Sequence, residues 1–265
     1  MGVLNVTPDS FGDAQRFSDP AAALDAVLRM ETDGADVVDI GGESTRPGAE
    51  PVAAAEELAR VLPVIARVAH RVRVPLSIDT SKAEVARAAI DAGAVIVNDI
   101  SGLLYEPELA AIVAERGAAL VLMHTRGRPK TMSDEAVYAD LIGEVAAELR
   151  QRMQTARDAG VPVDRIVVDP GIGFAKRPPH SYGVLARLPQ LAHALDRPLL
   201  VGPSRKSFMR AALNGRPAPE RDWGTAAAVT AAVLAGAHMV RVHAVAEMIQ
   251  VVRVADEIRK HCHQP

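Results

Sequence analysis

Three polar side chains lie at the ends of apolar, β-branched runs, where they could do chemistry: Asp79, Asn98 and Asp169. A single aspartate at such a position could simply cap the helix that follows. Three carboxylate or amide groups that converge on one face offer a planar array of hydrogen-bond donors and acceptors. Such an array suits a heterocycle with amino, ring N–H and carbonyl groups, such as a pterin or the edge of a guanine.

A second group of candidate residues is basic. Ser204–Ser207 follows an apolar run and opens a predicted helix, Lys206–Leu213, while Arg241 and His243 lie two positions apart on a later run. Residues two apart on a strand point to the same side. Backbone N–H groups at a helix N-terminus, with arginine, lysine and serine nearby, favour an anion. The alternative is that the cations of this segment are solvated first-turn charges, a position that the helix dipole disfavours.

Two polar segments rich in glycine and proline could complete an anion site. They are Asn5–Phe11 and Gly41–Gly48. Asn5, Thr45 and Arg46 could bind a diphosphate or the Mg²⁺ that accompanies it. Taken singly, each segment could be no more than a turn.

The elements that must position these residues follow a regular alternation. Eight strand-like runs are present: Met1–Thr7, Val37–Gly42, Pro75–Thr80, Val95–Ser101, Ala119–Thr125, Ile166–Gly171, Pro198–Ser204 and His238–Val245. Segments of helical periodicity separate them: Pro20–Asp33, Glu50–His70, Lys82–Ala92, Glu106–Arg116, Ala136–Ala159, Pro179–Leu195, Lys206–Leu213 with Asp222–Ala235, and Ala246–Lys260. Eight such units predict an α/β fold, a single (β/α)₈ TIM barrel, with its site at the carboxyl ends of the strands. Loops after the seventh and eighth strands are the usual phosphate site of this fold.

Bulk properties narrow the class of protein. The chain has 265 residues, is 49% hydrophobic and carries a formal net charge of −3. We expect one domain over residues 1–260 and a C-terminal tail at 261–265. The charge balance and the low aromatic content give no reason to expect nucleic acid or a membrane as partner. The single cysteine, Cys262, excludes an intrachain disulfide and is consistent with a cytoplasmic protein.

The motifs together resemble one family. Asn5–Phe11, Gly41–Gly48, Ser77–Lys82, Val97–Gly102, Asp169–Lys176, Ser204–Phe208 and Arg241–His243 look, in order, like the motifs of dihydropteroate synthase. The resemblance covers essentially the whole chain. It implies a Mg²⁺-dependent transferase of folate biosynthesis, the target of sulfonamides, that forms a homodimer through its last helices. Such an enzyme condenses 6-hydroxymethyl-7,8-dihydropterin diphosphate with 4-aminobenzoate and gives 7,8-dihydropteroate and diphosphate.

The resemblance also implies residue roles. The pterin would be held by Asp79, Asn98, Met123, Asp169, Phe174 and Lys206. The diphosphate would be bound by Asn5, Thr45, Arg46, Arg241 and His243, with Asn5 next to the metal. The aminobenzoate side and the lid would comprise Asp9, Phe11, Ser44, Pro47, Lys206 and Ser207. The catalytic residues would be Asp79, Asp169, Lys206 and Arg241. The reaction would be a dissociative substitution, in which diphosphate leaves before the amine attacks.

Two departures from the family pattern bear on the site. Ala244 follows His243 where an aspartate is common, so that carboxylate cannot orient the histidine. The segment Gly12–Arg16 differs from the usual Ser-Asp-Gly-Gly, which affects closure of the first loop.

Two other functions remain open from the sequence. A corrinoid-dependent methyltetrahydrofolate methyltransferase would share the barrel and the three pterin-binding residues, but it has no need of a diphosphate clamp. A non-catalytic pterin-binding relative is supported only by Ala244 and the altered first loop.

Isolated residues receive simpler interpretations. His124 ends the fifth run and could equally be packed or bind a ligand. Trp223 is predicted to pack between helices, and Asp39, within the second run, has no assigned role. The tail residues His261, Cys262 and His263 are not predicted to bind a metal.

Overall fold

The computed structural model describes residues 1–7, 20–46 and 48–262, and in these ranges eight short parallel strands form a barrel inside a layer of helices. The strands are β1 (Gly2–Asn5), β2 (Val38–Gly41), β3 (Leu76–Asp79), β4 (Ile96–Asp99), β5 (Ala119–Met123), β6 (Ile166–Asp169), β7 (Leu200–Val201) and β8 (Met239–Val240). Each lies within one of the eight runs predicted from the sequence. The (β/α)₈ prediction is confirmed.

The barrel closes through two narrow seams. β1 to β6 form one continuous sheet in chain order, and β7 pairs with β8. Between β8 and β1, the Val3 amide donates to the Val242 carbonyl at 3.1 Å; between β6 and β7, the Val168 amide donates to the Pro198 carbonyl at 3.0 Å. All carboxyl ends of the strands therefore meet at one rim.

The strand register brings the predicted chemistry together at that rim. Asn5 lies beside Gly41, Gly41 beside Asp79, and Asp79 beside Asn98. On β5 and β6, Met123 lies beside Asp169. These pairings result from parallel strands of similar length that end at the same level.

The helices pack their apolar stripes on the outside of the barrel. They are α1 (Pro20–Thr32), α2 (Ala54–Val68), α3 (Ala83–Asp91), α4 (Leu109–Arg116), α5 (Leu141–Asp158), α6 (Pro178–Ala186), α7 (Leu188–Leu195), α8 (Asp222–Leu234) and α9 (Val245–His261). In α2, for example, Val61, Val64, Ile65 and Val68 are buried at helical spacing. Gly117 ends α4 in the left-handed conformation, with φ of 66°, as the glycine stop predicts. Within the described ranges, each helix is too short or too polar to span a lipid bilayer.

Two helix predictions are wrong. Instead of a helix over Lys206–Leu213, the chain forms a single 3₁₀ turn, Ser207–Met209, after Arg205 in the left-handed conformation at φ 57°. A turn this short has little dipole, so the argument for an anion at a helix N-terminus does not hold there. The segment Pro179–Leu195 forms two helices, α6 and α7, which meet at Arg187 because Pro189 lacks an N–H to continue the first.

The core has two parts. Most buried apolar side chains lie between the sheet and the helices, while Met1, Val37, Val121 and Leu200 form a small separate cluster. These four come from different sides of the barrel, so they fill its interior below the polar rim. Trp223, predicted to pack between helices, is instead 89% exposed at the start of α8, because this first-turn position points away from the barrel.

Candidate active site

A charged network joins side chains from four strands near the rim. Arg241 donates from Nε to Asp39 Oδ2 and from Nη2 to Asp79 Oδ2, each at 2.6 Å. Asn98 donates from Nδ2 to the same Asp39 oxygen at 2.9 Å. Asp39 is completely buried, and sequence reasoning gave it no role. The signal that could have found it is a charged residue between Val38 and Ile40 in an apolar strand, since buried carboxylates are rarely without function.

The network leaves two carboxylate oxygens without a protein partner. Among the described residues, Asp39 Oδ1 and Asp79 Oδ1 are buried and accept no hydrogen bond. Buried polar atoms are normally paired, so these oxygens are available to the N–H groups of a ligand. Burial raises the pKa of Asp79 to about 7, although Arg241 opposes the shift.

A second pair of charges faces this network. Asp169, buried at the end of β6, accepts the Gly171 amide through Oδ1 at 2.7 Å. Lys206 donates from Nζ to the Ile172 carbonyl at 2.5 Å, and the same nitrogen lies 4.5 Å from the centre of the Phe174 ring. Burial lowers the pKa of Lys206 to about 8, with Asp169 acting in the opposite direction. Burial raises the pKa of Asp169, and Lys206 lowers it.

The space between these groups depends on Gly202, after β7. A Cβ placed there would lie 3.7 Å from Arg241 Cβ, 3.8 Å from Lys206 Nζ and 3.9 Å from Asp169 Oδ2. Gly202 therefore lies at the point where the two charged groups approach each other. The absence of a side chain there keeps that space open.

His243 is held by a serine from the neighbouring strand end. Its Nδ1 lies 2.9 Å from Ser204 Oγ, and its backbone amide donates to the same oxygen at 3.2 Å. Ser204 thus orients the ring of His243 although position 244 is an alanine. Burial, together with the charges of Arg241, Arg205 and Arg46, lowers the pKa of His243 to about 3, so the ring is neutral.

The other predicted residues have varied positions. Asn5 ends β1 and is half-buried, and Met123 is buried at the end of β5. Ser44 and Thr45 are half-buried in the loop after β2, whereas Arg46 and Ser207 are exposed. Asp9, Phe11 and Pro47 lie outside the described residues.

Arg205 and Lys206 have different surroundings despite being neighbours. Arg205 donates from Nε and Nη2 to Asp222 at 2.8 and 2.7 Å. Its guanidinium is thus turned toward the start of α8. Of the two cations, Lys206 is the one that the structure brings next to Asp169.

A cavity of about 320 Å³ opens beside Asp79, between the loops that follow β2 to β5. Thr45, Thr80, Tyr105 and Arg128 are among its lining residues. Lys82 forms part of the wall and pairs with Glu43 and the buried Glu57. The cavity gives Asp79 an open approach from the side of the predicted diphosphate-binding loop.

Cation-binding capacity at the rim is limited. Within the described part of the chain, no three His, Cys, Asp or Glu side chains are grouped as a metal site would require. Asn5 offers one neutral oxygen at the strand end. This donor set suits a cation that takes most of its ligands from a substrate and water.

Comparisons with known proteins identify the class. The model of the pterin-binding enzyme family matches residues 1–243. The chain therefore belongs to the class of pterin-binding enzymes.

Individual relatives show to which family of pterin-binding enzymes the chain belongs. The chain is 47% identical to the dihydropteroate synthase of Synechocystis sp. over 97% of this chain and 89% of that one. It is 43% identical to the Escherichia coli enzyme, over 97% and 90% of the two chains. The structure of Yersinia pestis dihydropteroate synthase with a sulfonamide drug complex has a TM-score of 0.93 at 41% identity, covering 98% of this chain and 94% of that one. The Xanthomonas albilineans enzyme with 4-aminobenzoic acid has a TM-score of 0.90 at 40% identity, covering 100% and 93%. The chain belongs to the dihydropteroate synthase family, as the motifs predict.

Proposed function

We propose that the protein condenses 6-hydroxymethyl-7,8-dihydropterin diphosphate with 4-aminobenzoate and releases diphosphate. The observation that carries the proposal is the pair of buried networks at the rim. Asp39, Asp79, Asn98 and Arg241 form one, and the pair of Asp169 and Lys206 forms the other. Together they offer acceptors and a cation around a space that Gly202 leaves open.

The pterin would lie between these networks. Asn98 gives its amide hydrogen to Asp39, so its carbonyl oxygen is left to accept from the ligand, alongside Asp79 Oδ1. Asp169 would accept the amino group and ring N–H on the opposite edge, and Lys206 would donate to the ring carbonyl. Met123 and Phe174 would cover the faces of the ring.

The diphosphate would lie on the side of β1, β2 and β8. Arg46, Arg241 and neutral His243 would donate to its oxygens, with Thr45 in the loop after β2. Mg²⁺ would be held by the Asn5 oxygen together with oxygens of the substrate and water, and would neutralise part of the charge of the leaving group.

The reaction would proceed by departure of diphosphate with the C–O bonding electrons. The positive charge left on the methylene carbon spreads over the electron-rich reduced pterin. The carboxylates of Asp79 and Asp169 stabilise that charge. The amine of 4-aminobenzoate then forms the C–N bond with its lone pair. The resulting arylammonium is acidic enough to give its proton to water or to the released diphosphate, so this step needs no strong base.

The incoming aminobenzoate would approach past Lys206 and Ser207. Its carboxylate would be recognised by the lysine and by the exposed serine, since no helix dipole is available there. We propose Asp9, Phe11, Ser44 and Pro47 as the lid that excludes water, which would otherwise capture the cation.

The alternatives make different demands on the site. A corrinoid-dependent methyltetrahydrofolate methyltransferase has no use for Arg46 and His243 next to the pterin site, and a binding-only relative would release no diphosphate. The proximity of Arg46 and Arg241 to His243, evident in their lowering of the histidine pKa, favours the synthase.

Diphosphate release tests the proposal directly. We expect release that requires the pterin diphosphate, 4-aminobenzoate and Mg²⁺ together. Arg46→Ala should reduce the rate while leaving the affinity for the pterin without its diphosphate unchanged, because the residue acts on the leaving group. Arg241→Ala is less selective, since Arg241 also holds Asp39 and Asp79. Absence of release by protein that also binds neither substrate would contradict the proposal.

We also propose a homodimer through α8 and α9. Leu234, Val254 and Ile258 are exposed on these two helices, by 41%, 62% and 47%. Adjacent exposed apolar side chains are typical of a surface that another subunit covers.

A further inference from the structure

A chain of polar side chains, buried except for the half-buried Glu148 on α5, runs from that helix to the loop after β6, outside the residues proposed to touch substrate. His124, which had no assigned role, is completely buried, and its Nδ1 lies 2.8 Å from Lys176 Nζ. Its Nε2 lies 3.1 Å from Glu148 Oε2. Lys176 is 6% exposed and also donates from Nζ to the Phe174 carbonyl at 3.1 Å.

The geometry defines where the protons are. Burial alone would raise the pKa of Glu148, but hydrogen bonds from His124 and Arg126 bring it down to about 2, so Glu148 accepts as a carboxylate. His124 must then carry its proton on Nε2, and Nδ1 accepts from Lys176. Burial and the neighbouring Lys176 lower the pKa of His124 to about 3, which keeps the ring neutral.

The loop that this chain supports is the one that contacts Lys206. The Phe174 carbonyl is fixed by Lys176, while the Phe174 ring lies 4.5 Å from Lys206 Nζ. Two residues earlier, the Ile172 carbonyl accepts from Lys206. The His124 amide donates to the Asp169 carbonyl at 2.8 Å, so the same histidine also ties β5 to the start of this loop.

We propose that His124 and Lys176 are positioning residues for the reaction: they hold residues 171–176 so that the Ile172 carbonyl and the Phe174 ring set the place of the Lys206 ammonium. The inference rests on the proposed function, in which Lys206 meets the pterin.

Stability alone does not account for a lysine at this position. Removing an ammonium group from water is costly, and a methionine of similar length would fill the space without that cost. Burial indeed lowers the pKa of Lys176 well below its usual range. What the lysine provides is a directed hydrogen bond to the Phe174 carbonyl and a positive charge near Asp169, and an apolar side chain supplies neither.

Lys176→Met tests the role of the lysine. The readouts are the dissociation constant of 6-hydroxymethyl-7,8-dihydropterin, measured by calorimetry, and the thermal unfolding midpoint. We expect the dissociation constant to rise about tenfold, the effect of weakening one hydrogen bond between the ligand and a charged group. The midpoint should fall modestly, because the His124 Nδ1 and the Phe174 carbonyl lose their donor. Unchanged affinity in the variant, with normal binding by the unaltered protein, would overturn the inference.

Two substitutions of His124 keep the inference testable if Lys176→Met does not fold. His124→Asn places an amide near the Nδ1 position and preserves an acceptor for Lys176. His124→Gln reaches the Nε2 position, preserves the contact with Glu148 and loses that acceptor. We expect the asparagine variant to bind the pterin within about threefold of the unaltered protein and the glutamine variant about tenfold more weakly. Equal affinities, or the reverse order, would contradict the role of Lys176.

Two glutamates on α5 provide a matched pair of variants. They distinguish loss of the contact with His124 from loss of an ion pair with Arg126. Glu144 and Glu148 both accept from Arg126, but only Glu148 contacts His124. Glu148→Ala should weaken pterin binding, and Glu144→Ala should not. If both variants weaken it equally, the ion pairs and not the histidine chain support the loop, and the inference fails. If the unaltered protein binds no pterin, the proposed function fails first.

Discussion

At the scale of single residues, the site is governed by how its buried charges share one arginine. Arg241 pairs with Asp39 and Asp79 at once, and Lys206 lies across from them beside Asp169. Three carboxylates thus face two cations in a region with little access to water. Burial raises the pKa of Asp79 to about 7, and the charge of Asp39 adds to this shift while Arg241 opposes it. A ligand that brings N–H donors relieves the shortage.

Asp79 should make pterin binding depend on pH. Its proposed role needs the carboxylate, so affinity falls as the pH drops through about 7, the pKa of Asp79. The loss should approach tenfold for each further pH unit, because the bound form must release the proton. Calorimetry between about pH 5.5 and about pH 8 measures this. Asp79→Asn, which does not titrate, should bind weakly and show no such acid limb. Equal pterin affinity of the unaltered protein at the lowest and the highest pH would contradict the proposed role of Asp79.

Lys206 should set the alkaline side of the activity profile. Its pKa of about 8 means that the ammonium donor is lost as the pH rises through that value. We expect kcat/KM to fall on that side. In Lys206→Arg the guanidinium stays charged throughout the range, so the remaining activity should have no alkaline limb. If kcat/KM of the arginine variant still falls near pH 8, the titrating group is not Lys206.

At the scale of elements, the short strands determine where each site residue lies along the rim. The loops after the strands determine the direction in which its side chain or carbonyl points. β6 has four residues, and the loop that follows it turns back through Gly171, Gly173 and Ala175, all with positive φ. This winding brings the Ile172 carbonyl to Lys206 and the Phe174 ring above it. A regular helix start at this point would direct both groups away from the rim.

Gly171 gives an element-scale prediction. A Cβ at Gly171 would overlap the His124 carbonyl, in addition to the strain of φ 70°. Gly171→Ala should therefore lower the free energy of unfolding by more than about 3 kcal/mol. Gly215→Ala is the control, because Gly215 has φ 82° but open space around its Cα. It should lose only about 1 kcal/mol. Denaturant titration measures both, and similar losses would mean that backbone strain alone matters.

At the scale of the whole molecule, closure of the barrel decides which residues can meet. β7 and β8 have two residues each and join the larger sheet only through the β6–β7 and β8–β1 seams. The second seam brings Arg241 next to the strands that carry Asp39 and Asp79. Without this seam, Arg241 would lie at an open edge and the two carboxylates would lack their ion-pair partner.

The proposed dimer belongs to this scale as well. Val254→Glu with Ile258→Glu on α9 should convert the protein to a monomer, since charges in an apolar interface oppose association. Sedimentation equilibrium measures the mass. Ala246→Glu is the control, because this exposed position lies roughly a quarter to a third of a turn around the same helix. A monomeric unaltered protein, or a double variant that remains dimeric, would contradict the proposed interface.

Much of the fold and the location of the candidate site could be predicted from local sequence patterns. The eight strands, the face on which the site lies and most of the helices followed from runs of apolar residues and the glycines that end the helices, because both act over a few neighbouring residues. The wrong helix prediction after β7 has a local cause too. Lys206–Leu213 has helical composition, yet Arg205 enters the left-handed conformation and a single turn results.

By itself, the sequence determined the barrel, the rim and the residue types there, since strand periodicity is encoded along the chain. Only the tertiary structure decided which of these residues interact. Asp39 and Arg241 are separated by 202 positions, and His124 and Lys176 by 52. Their pairing depends on barrel closure and on the paths of loops, and no pattern of neighbouring residues encodes either. The buried aspartate without a role and the unassigned histidine therefore acquired their partners only when the chain was folded.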